Sequence, residues 1–336
     1  MSPVRVVVVE DSAVQRAHLI SVLEATKEIK VVGQAVDTDG ALAAVRSSRP
    51  DVVTMDLHLP GAGGVEAIRQ VMQASPVPIL VLTVSAGEGQ PSRLALDALS
   101  AGAVEVLPKP SRWTESDQTR LRTTVVALRG ARPARPKAPA PLPGATAAAG
   151  TVVAVAASTG GPGAIARVLA DLAGLRAPVL VVQHIHSDFM ANFVSWLGTR
   201  SPLLVSAAQD GASPAKGHVY VAPSHFHLRI DPDRRLRLDP RPASLHRPSA
   251  DELFRPVARS VGPAGIGVLL TGMGDDGAAG LLAMRGAGGQ TLCQDEATST
   301  VFGMPRAAQR LGAATCVLAL EEIGPRVALA VKGGER

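Results

Sequence analysis

Between Gly130 and Gly144 the chain reads Gly-Ala-Arg-Pro-Ala-Arg-Pro-Lys-Ala-Pro-Ala-Pro-Leu-Pro-Gly. A stretch this rich in proline and this poor in large apolar side chains cannot bury itself in a core, and it reads as a tether. It divides the 336 residues into two stretches that must each build a core of their own. At about 100–200 residues per domain the length accommodates two, and 46% hydrophobic content is ample for both. The expected boundaries are a domain over 1–126, a Pro/Ala/Arg-rich linker over 127–149 and a second domain over 150–336.

Leu, Val and Ala supply most of the apolar material, and aromatic residues are only 2%, which argues against stacking platforms for single-stranded nucleic acid. The net charge of +5 is spread over the tether (Arg129, Arg132, Arg135, Lys137) and over Arg229, Arg234, Arg235, Arg237, Arg241 and Arg247. No run is dense enough to mark nucleic-acid binding; a solvated surface is the plain reading and docking to an acidic protein the alternative. Cys293 and Cys316 form no metal-type pair and require no oxidising compartment. The chain enters a strand soon after Met1 without a secretory leader, so a cytoplasmic protein with no membrane insertion is expected.

In the front half, Val4-Arg-Val-Val-Val-Val9 is a β-branched run that ends at Glu10-Asp11, and Ser12 can cap the helix that follows. The order repeats: a short strand at Val31-Val32, a helix near Gly40–Ser48, a strand over Asp51–Asp56, and further strands at Pro78–Thr83 and Ala103–Pro110. Strands alternating with helices predict a parallel, doubly wound sheet, whose ligands gather at the carboxyl ends of the strands. Glu10, Asp11, Asp56, Thr83 and Lys109 then share one crevice. Crowded carboxylates need a shared hard cation, and this oxygen set suits Mg²⁺. With it, an Asp56 oxygen can accept a phosphoryl group, Lys109 can pair with the phosphate and the Thr83 hydroxyl can swing to bond it. The competing reading takes Asp11 and Asp56 as ordinary acids near helix N-termini.

In the back half, Thr151–Ala157 reads as a buried strand, Ser158-Thr-Gly-Gly-Pro-Gly163 as a tight turn and Ala164–Leu169 as a helix start. Ser158 therefore sits at a strand-to-helix elbow, which lifts a hydroxyl above the sheet edge and aims backbone N–H groups at the same space. A phosphate cradle is the rival, but the glycines do not follow G-x-G-x-x-G and no P-loop lysine is present. Val179–Gln183 ends at His184, and Gly265–Thr271 leads into Gly272-Met-Gly-Asp-Asp-Gly277. Three strand ends thus offer a hydroxyl, an imidazole and a carboxylate, enough for Ser158, His184 and Asp276 to act as nucleophile, base and orienting acid. Each has a duller explanation as a cap, a core histidine or a turn former. The alternate spacing of His184 with His186, and of His225 with His227, also allows a Zn²⁺ reading, without a cysteine cluster or H-E-x-x-H to support it.

Two resemblances go beyond these patterns. Residues 3–125 resemble the receiver domain of two-component response regulators, through the five strand-end residues, Val53-Thr-Met-Asp-Leu-His-Leu-Pro60 and Lys109-Pro110. The turn after the proline departs from the usual Asp-Gly pair, reading Gly61-Ala-Gly-Gly64, which is expected to loosen that loop. Residues 151–330 resemble the catalytic domain of the CheB family of chemotaxis protein-glutamate methylesterases and deamidases. The carrying segments are Ala157–Pro162, Gln183-His184, Gly217–Pro223, Pro248–Phe254, Leu270–Ala278, Gln294-Asp-Glu296 and Phe302–Pro305. The family's prolines after the histidine are replaced here by Ile185-His-Ser-Asp188.

The resemblance implies a flavodoxin-like receiver and an α/β methylesterase domain with a mostly parallel sheet. It makes Ser158, His184 and Asp276 the triad, with Thr159 and Met273 lining the oxyanion region and no cofactor for that step. Asp56 becomes the phosphorylation site, Thr83 and Lys109 the switch residues, and Glu10, Asp11 and Asp56 the Mg²⁺ ligands. The implied partners are methyl-accepting chemotaxis receptors as substrate and a CheA-type histidine kinase as phosphodonor, with no nucleic acid. Demethylation of glutamate methyl esters, with glutamine deamidation by the same machinery, is the expected reaction, and a chemosensory-like pathway with a non-motility output is the alternative setting. Phosphorylation is expected to move the front domain away from the triad mouth. A binding module with an inert back half, or a regulator acting on DNA, are the readings from other classes; no basic recognition helix follows the receiver to support the latter.

Overall fold

The structure, a computed structural model, describes residues 2–84, 90–110, 112–131, 150–242 and 246–333. The tether from 132 to 149 lies outside the described residues. The chain divides into two compact units, Met1–Pro133 and Ala134–Arg336.

The first unit alternates strand and helix throughout: β1 (Val4–Val9), α1 (Ala13–Leu23), β2 (Ile29–Ala35), α2 (Thr38–Ser48), β3 (Val52–Asp56), α3 (Gly64–Ala74), β4 (Ile79–Val84), α4 (Gln90–Ala101), β5 (Glu105–Lys109) and α5 (Glu115–Ala127). The strands pair in parallel in the order β2-β1-β3-β4-β5. Because helices cover both faces, the central strands are apolar continuously rather than alternately, and Val6, Val7, Val8, Val52 and Val53 are fully buried. Side-chain caps fix the helix starts: the Ser12 hydroxyl accepts from Gln15 N, Asp37 Oδ1 from Gly40 N at 2.7 Å, and Thr114 and Asp117 form a reciprocal capping box.

The second unit runs β6 (Val152–Ala157), α6 (Gly161–Ala170), β7 (Val179–Gln183), α7 (Ser187–Gly198), β8 (Leu204–Ala207), β9 (His218–Val221), β10 (His227–Ile230), β11 (Leu236–Asp239), α8 (Ala250–Val261), β12 (Gly265–Leu269), α9 (Ala278–Gly286), β13 (Gln290–Gln294), α10 (Met304–Arg310), β14 (Cys316–Leu318) and α11 (Leu320–Gly333). Seven strands form a parallel sheet in the order β14-β13-β12-β6-β7-β9-β8, with β6 at its centre. β10 and β11 make a separate antiparallel hairpin that packs on α8. The expected turn Ser158–Gly163 is shorter than its sequence suggests. Gly160, at φ 76°, ends it, and α6 starts at Gly161 with Pro162 in its first turn, where a missing N–H costs nothing. Among the described residues, no helix is long and apolar enough to cross a membrane.

Candidate active site

Register decides which side chains meet. β6 and β7 pair Ala157 with Gln183, so the next residues, Ser158 and His184, stand side by side at the strand ends, about 5 Å apart in the pairing direction. β12 flanks β6 on the other side, and Ser158 N donates to Thr271 O at 3.0 Å. Two glycines permit this closeness: a Cβ on Gly272 would lie 2.7 Å from Ser158 Cβ, and one on Gly161 2.1 Å from Gln183 Oε1. The Gln183 amide ties the two strand ends together by donating to Ser158 O at 2.8 Å and to His184 O at 2.9 Å.

His184 Nε2 lies 2.9 Å from Asp276 Oδ2. Asp276 also accepts Ser249 Oγ (2.7 Å), Ala250 N (2.7 Å) and Asp251 N (3.1 Å), so its carboxylate occupies the N-terminus of α8. Burial pushes this carboxyl up, but the hydrogen bond and charge of His184, with Ala250 N–H and the Ser249 hydroxyl, outweigh it and hold the group well below the usual carboxylate range. A second exchange runs the opposite way: Asp251, in the first turn of α8, accepts Gly280 N of α9 at 2.6 Å. Helix α9 has no side-chain cap of its own at Gly277, so each helix start is capped by an acid from the other's segment.

The sequence expectation of three converging groups is met in one pair and modified in the other. His184 and Asp276 are hydrogen-bonded, whereas among the described residues the Ser158 hydroxyl makes no hydrogen bond and His184 Nδ1 is buried without a partner. Ser158 is half-buried and stands next to His184 by strand register, but its hydroxyl is unbonded in this arrangement. Thr159 is buried and its carbonyl accepts Thr271 Oγ1, while Met273 is 37% exposed on the loop after β12. The His184 ring stacks on His246, with centroids 4.2 Å apart. A cleft of about 1040 Å³ opens next to Asp276 and is lined by His246, Arg255, Phe302, Arg306 and Arg310.

The histidine pairs do not form a metal set. His184 is bound to Asp276, His186 caps α7 through Nδ1, and both ring nitrogens of His227 are engaged, by Pro242 O and Ser249 N. From sequence, His227 enters only the Zn²⁺ alternative and Ser249 only the segment Pro248–Phe254, with no part in holding Asp276 for either. Ser249-Ala-Asp-Glu252 carries the S-x-x-E pattern of a helix start, but what that helix points at depends on contacts 25 to 27 residues away.

In the first unit, Glu10, Asp11 and Asp56 offer carboxylate oxygens within 4.8 Å of one another. Lys109 Nζ lies 2.5 Å from Glu10 Oε2 and 2.8 Å from Asp56 Oδ2. Burial raises the Glu10 pKa, and Lys109 partly offsets the rise. If all are ionised, three carboxylates and one ammonium leave two negative charges, the deficit a divalent cation fills. Thr83 is fully buried on β4 and its hydroxyl has no partner. The loop expected to be loosened by glycine is held at one end, since a Cβ on Gly64 would lie 2.1 Å from Asp56 O. Gly61 faces open space at φ 83°.

Fold and sites together define a class of protein: an acidic-pocket receiver joined to an α/β unit of hydrolase type. The receiver-domain family model, response regulator receiver domain, matches residues 6–119, and the CheB methylesterase model matches residues 153–327. The chain is 44% identical to protein-glutamate methylesterase/protein-glutamine glutaminase 3 of Anaeromyxobacter dehalogenans, over 97% of this chain and 98% of that one. It is 40% identical to protein-glutamate methylesterase/protein-glutamine glutaminase 4 of Myxococcus xanthus, over 98% of each. The crystal structure of the Thermotoga maritima CheB methylesterase catalytic domain aligns with 54% of this chain and 98% of its own, at 32% identity and a TM-score of 0.52. This chain belongs to the CheB methylesterase family and carries its receiver domain.

Proposed function

We propose that the second unit hydrolyses glutamate γ-methyl esters on methyl-accepting receptors and deamidates glutamines there, with Ser158, His184 and Asp276 as its triad. The observation that carries this is the His184–Asp276 hydrogen bond, with His184 Nδ1 left without a partner and Ser158 at the neighbouring strand end. An Nε2–H donated to Asp276 leaves the lone pair on Nδ1, the nitrogen that takes the Ser158 proton as Oγ attacks the ester carbonyl. Thr159 and Met273 N–H groups stabilise the oxyanion; the imidazolium returns its proton to departing methanol, or ammonia from glutamine, and water then resolves the acyl-enzyme by the same route.

The first unit is the switch. Asp56 accepts a phosphoryl group from a histidine kinase, Lys109 pairs with the arriving phosphate and the unpartnered Thr83 hydroxyl turns to bond it. Glu10, Asp11 and Asp56 would hold Mg²⁺, which would supply charge neutralisation at that carboxylate. Phosphorylation raises esterase activity.

The test is methanol release from a methylated receptor fragment, with and without a small-molecule phosphodonor and Mg²⁺. Wild type releases methanol faster with phosphodonor, and Ser158→Ala releases it slower by about 10³-fold or more under either condition. Release by Ser158→Ala at the wild-type rate would overturn the assignment.

A further inference from the structure

We propose that His227, on the β10–β11 hairpin outside the main sheet, is a positioning residue for the hydrolase: its neutral imidazole holds the start of α8 so that the helix fixes Asp276 against His184. The inference rests on the triad reading above. His227 is fully buried and lies at the first residue of β10. Its Nδ1 is 3.2 Å from Ser249 N and its Nε2 2.9 Å from Pro242 O. A backbone N–H can only donate and a carbonyl can only accept, so Nδ1 carries the lone pair and Nε2 the proton. Only this uncharged tautomer satisfies both neighbours; a second ring proton would set two N–H groups against each other.

What the ring grips is the N-cap residue of α8. Ser249 spends its backbone N–H on His227, which leaves its hydroxyl to donate to Asp276 Oδ1 at 2.7 Å. The next two N–H groups, Ala250 and Asp251, divide between the two oxygens of the same carboxylate, and Glu252 N turns to Ser249 Oγ. Every donor of the first turn is thereby assigned, and three of them converge on Asp276. The hairpin is fastened to α8 at two further points, Arg229 to Glu252 and Ser260 Oγ to Ile230 O at 3.1 Å. The Ser260 contact holds the far end of the helix, and Arg229 reaches the first turn through the Glu252 side chain. Of the three, His227 alone takes a backbone N–H of the turn that faces the carboxylate, and displacing a catalytic group by about 1 Å is enough to cost on the order of 10²-fold in rate.

Two substitutions separate positioning from packing. In His227→Asn the side-chain oxygen takes the place of Nδ1 and still accepts Ser249 N–H. In His227→Gln the amide nitrogen reaches the place of Nε2 and still donates to Pro242 O, but the acceptor for Ser249 is gone. Both shorten or reshape a buried ring and lower the denaturation midpoint, so folding alone predicts parallel losses. The full chain is assayed for methanol release from the methylated receptor fragment, with kcat and KM taken separately and denaturation recorded for each variant. The expected result is a kcat about 10- to 100-fold below wild type for His227→Gln with KM unchanged, and recovery of most of that kcat in His227→Asn. Equal kcat in the two variants, whether both low or both normal, overturns the proposal. Should His227→Gln fail to fold, His227→Leu serves in its place, since it too removes the acceptor for Ser249 N: lowered kcat with unchanged KM supports the positioning role, and wild-type kcat refutes it. Failure of the triad reading shows separately, as methanol release that survives Ser158→Ala.

Discussion

The two units place their polar groups by the same rule and prepare them differently. Both are parallel sheets, and in both the residues of interest lie at or just past the carboxyl ends of strands. In the first unit one cation, Lys109, is wedged between Glu10 and Asp56, and the idle group is the Thr83 hydroxyl. In the second unit the acid is over-supplied with donors, and the idle groups are the Ser158 hydroxyl and His184 Nδ1. Buried polar atoms are almost always bonded, so an unbonded one beside a reactive group marks the part with work still to do. On the proposed reading that part moves in the switch and transfers a proton in the hydrolase.

The strongest way to break this comparison is Ser158→Ala. It removes a hydroxyl that makes no hydrogen bond, so the denaturation curve should stay at wild type while kcat falls by about 10³-fold or more; a large stability loss would show that the hydroxyl was structurally engaged after all. Asp276→Asn sharpens it from the other side. Rate should fall by roughly 10³–10⁴-fold as the ring loses its enforced tautomer, and here stability should fall too, because the amide cannot accept all the donors at the start of α8. The same carboxylate gives a pH signature. Its folded pKa lies below its unfolded one, so its contribution to stability is full above about pH 4 and fades as pH falls towards the folded value. Urea unfolding followed from neutral pH into acid should therefore show a steeper loss in wild type than in Asp276→Asn.

In the first unit, Asp56→Ala should abolish the response to phosphodonor, bringing the ratio of treated to untreated methanol release to one. Gly64→Ala should destabilise the receiver by about 1–3 kcal/mol in chemical denaturation, since backbone must shift to admit the methyl group. Gly61→Ala, at a positive φ with open space around it, should cost only about 1 kcal/mol. A reversed order would mean that conformational freedom, rather than close approach, sets the requirement in this loop.

Strand ends were the legible part of this chain. Val4–Val9, Asp51–Asp56 and Thr151–Ala157 are short apolar runs stopped by polar residues, and local sequence is enough to place Glu10, Asp56 and Ser158 where the sheet delivers them. Local sequence also gave the helix caps at Ser12 and the glycine elbow at Gly160. It did not give the hairpin β10–β11, whose four-residue strands carry charge in their middle at Arg229 and Arg237. Nor did it reveal what Ser249 and His227 hold, because nothing in a helix-start pattern names an acceptor from a distant loop. The stacking of His246 on His184 is of the same kind, a contact between segments 62 residues apart by their numbers.

The mutual capping of α8 and α9 has a consequence for the life of the molecule. Ser158 and His184 are translated long before residue 276, and until both helices have docked no carboxylate stands behind the imidazole. With the triad proposed above, a nascent or half-refolded chain is thus unarmed, and hydrolytic power is withheld until the last pieces of the domain are home.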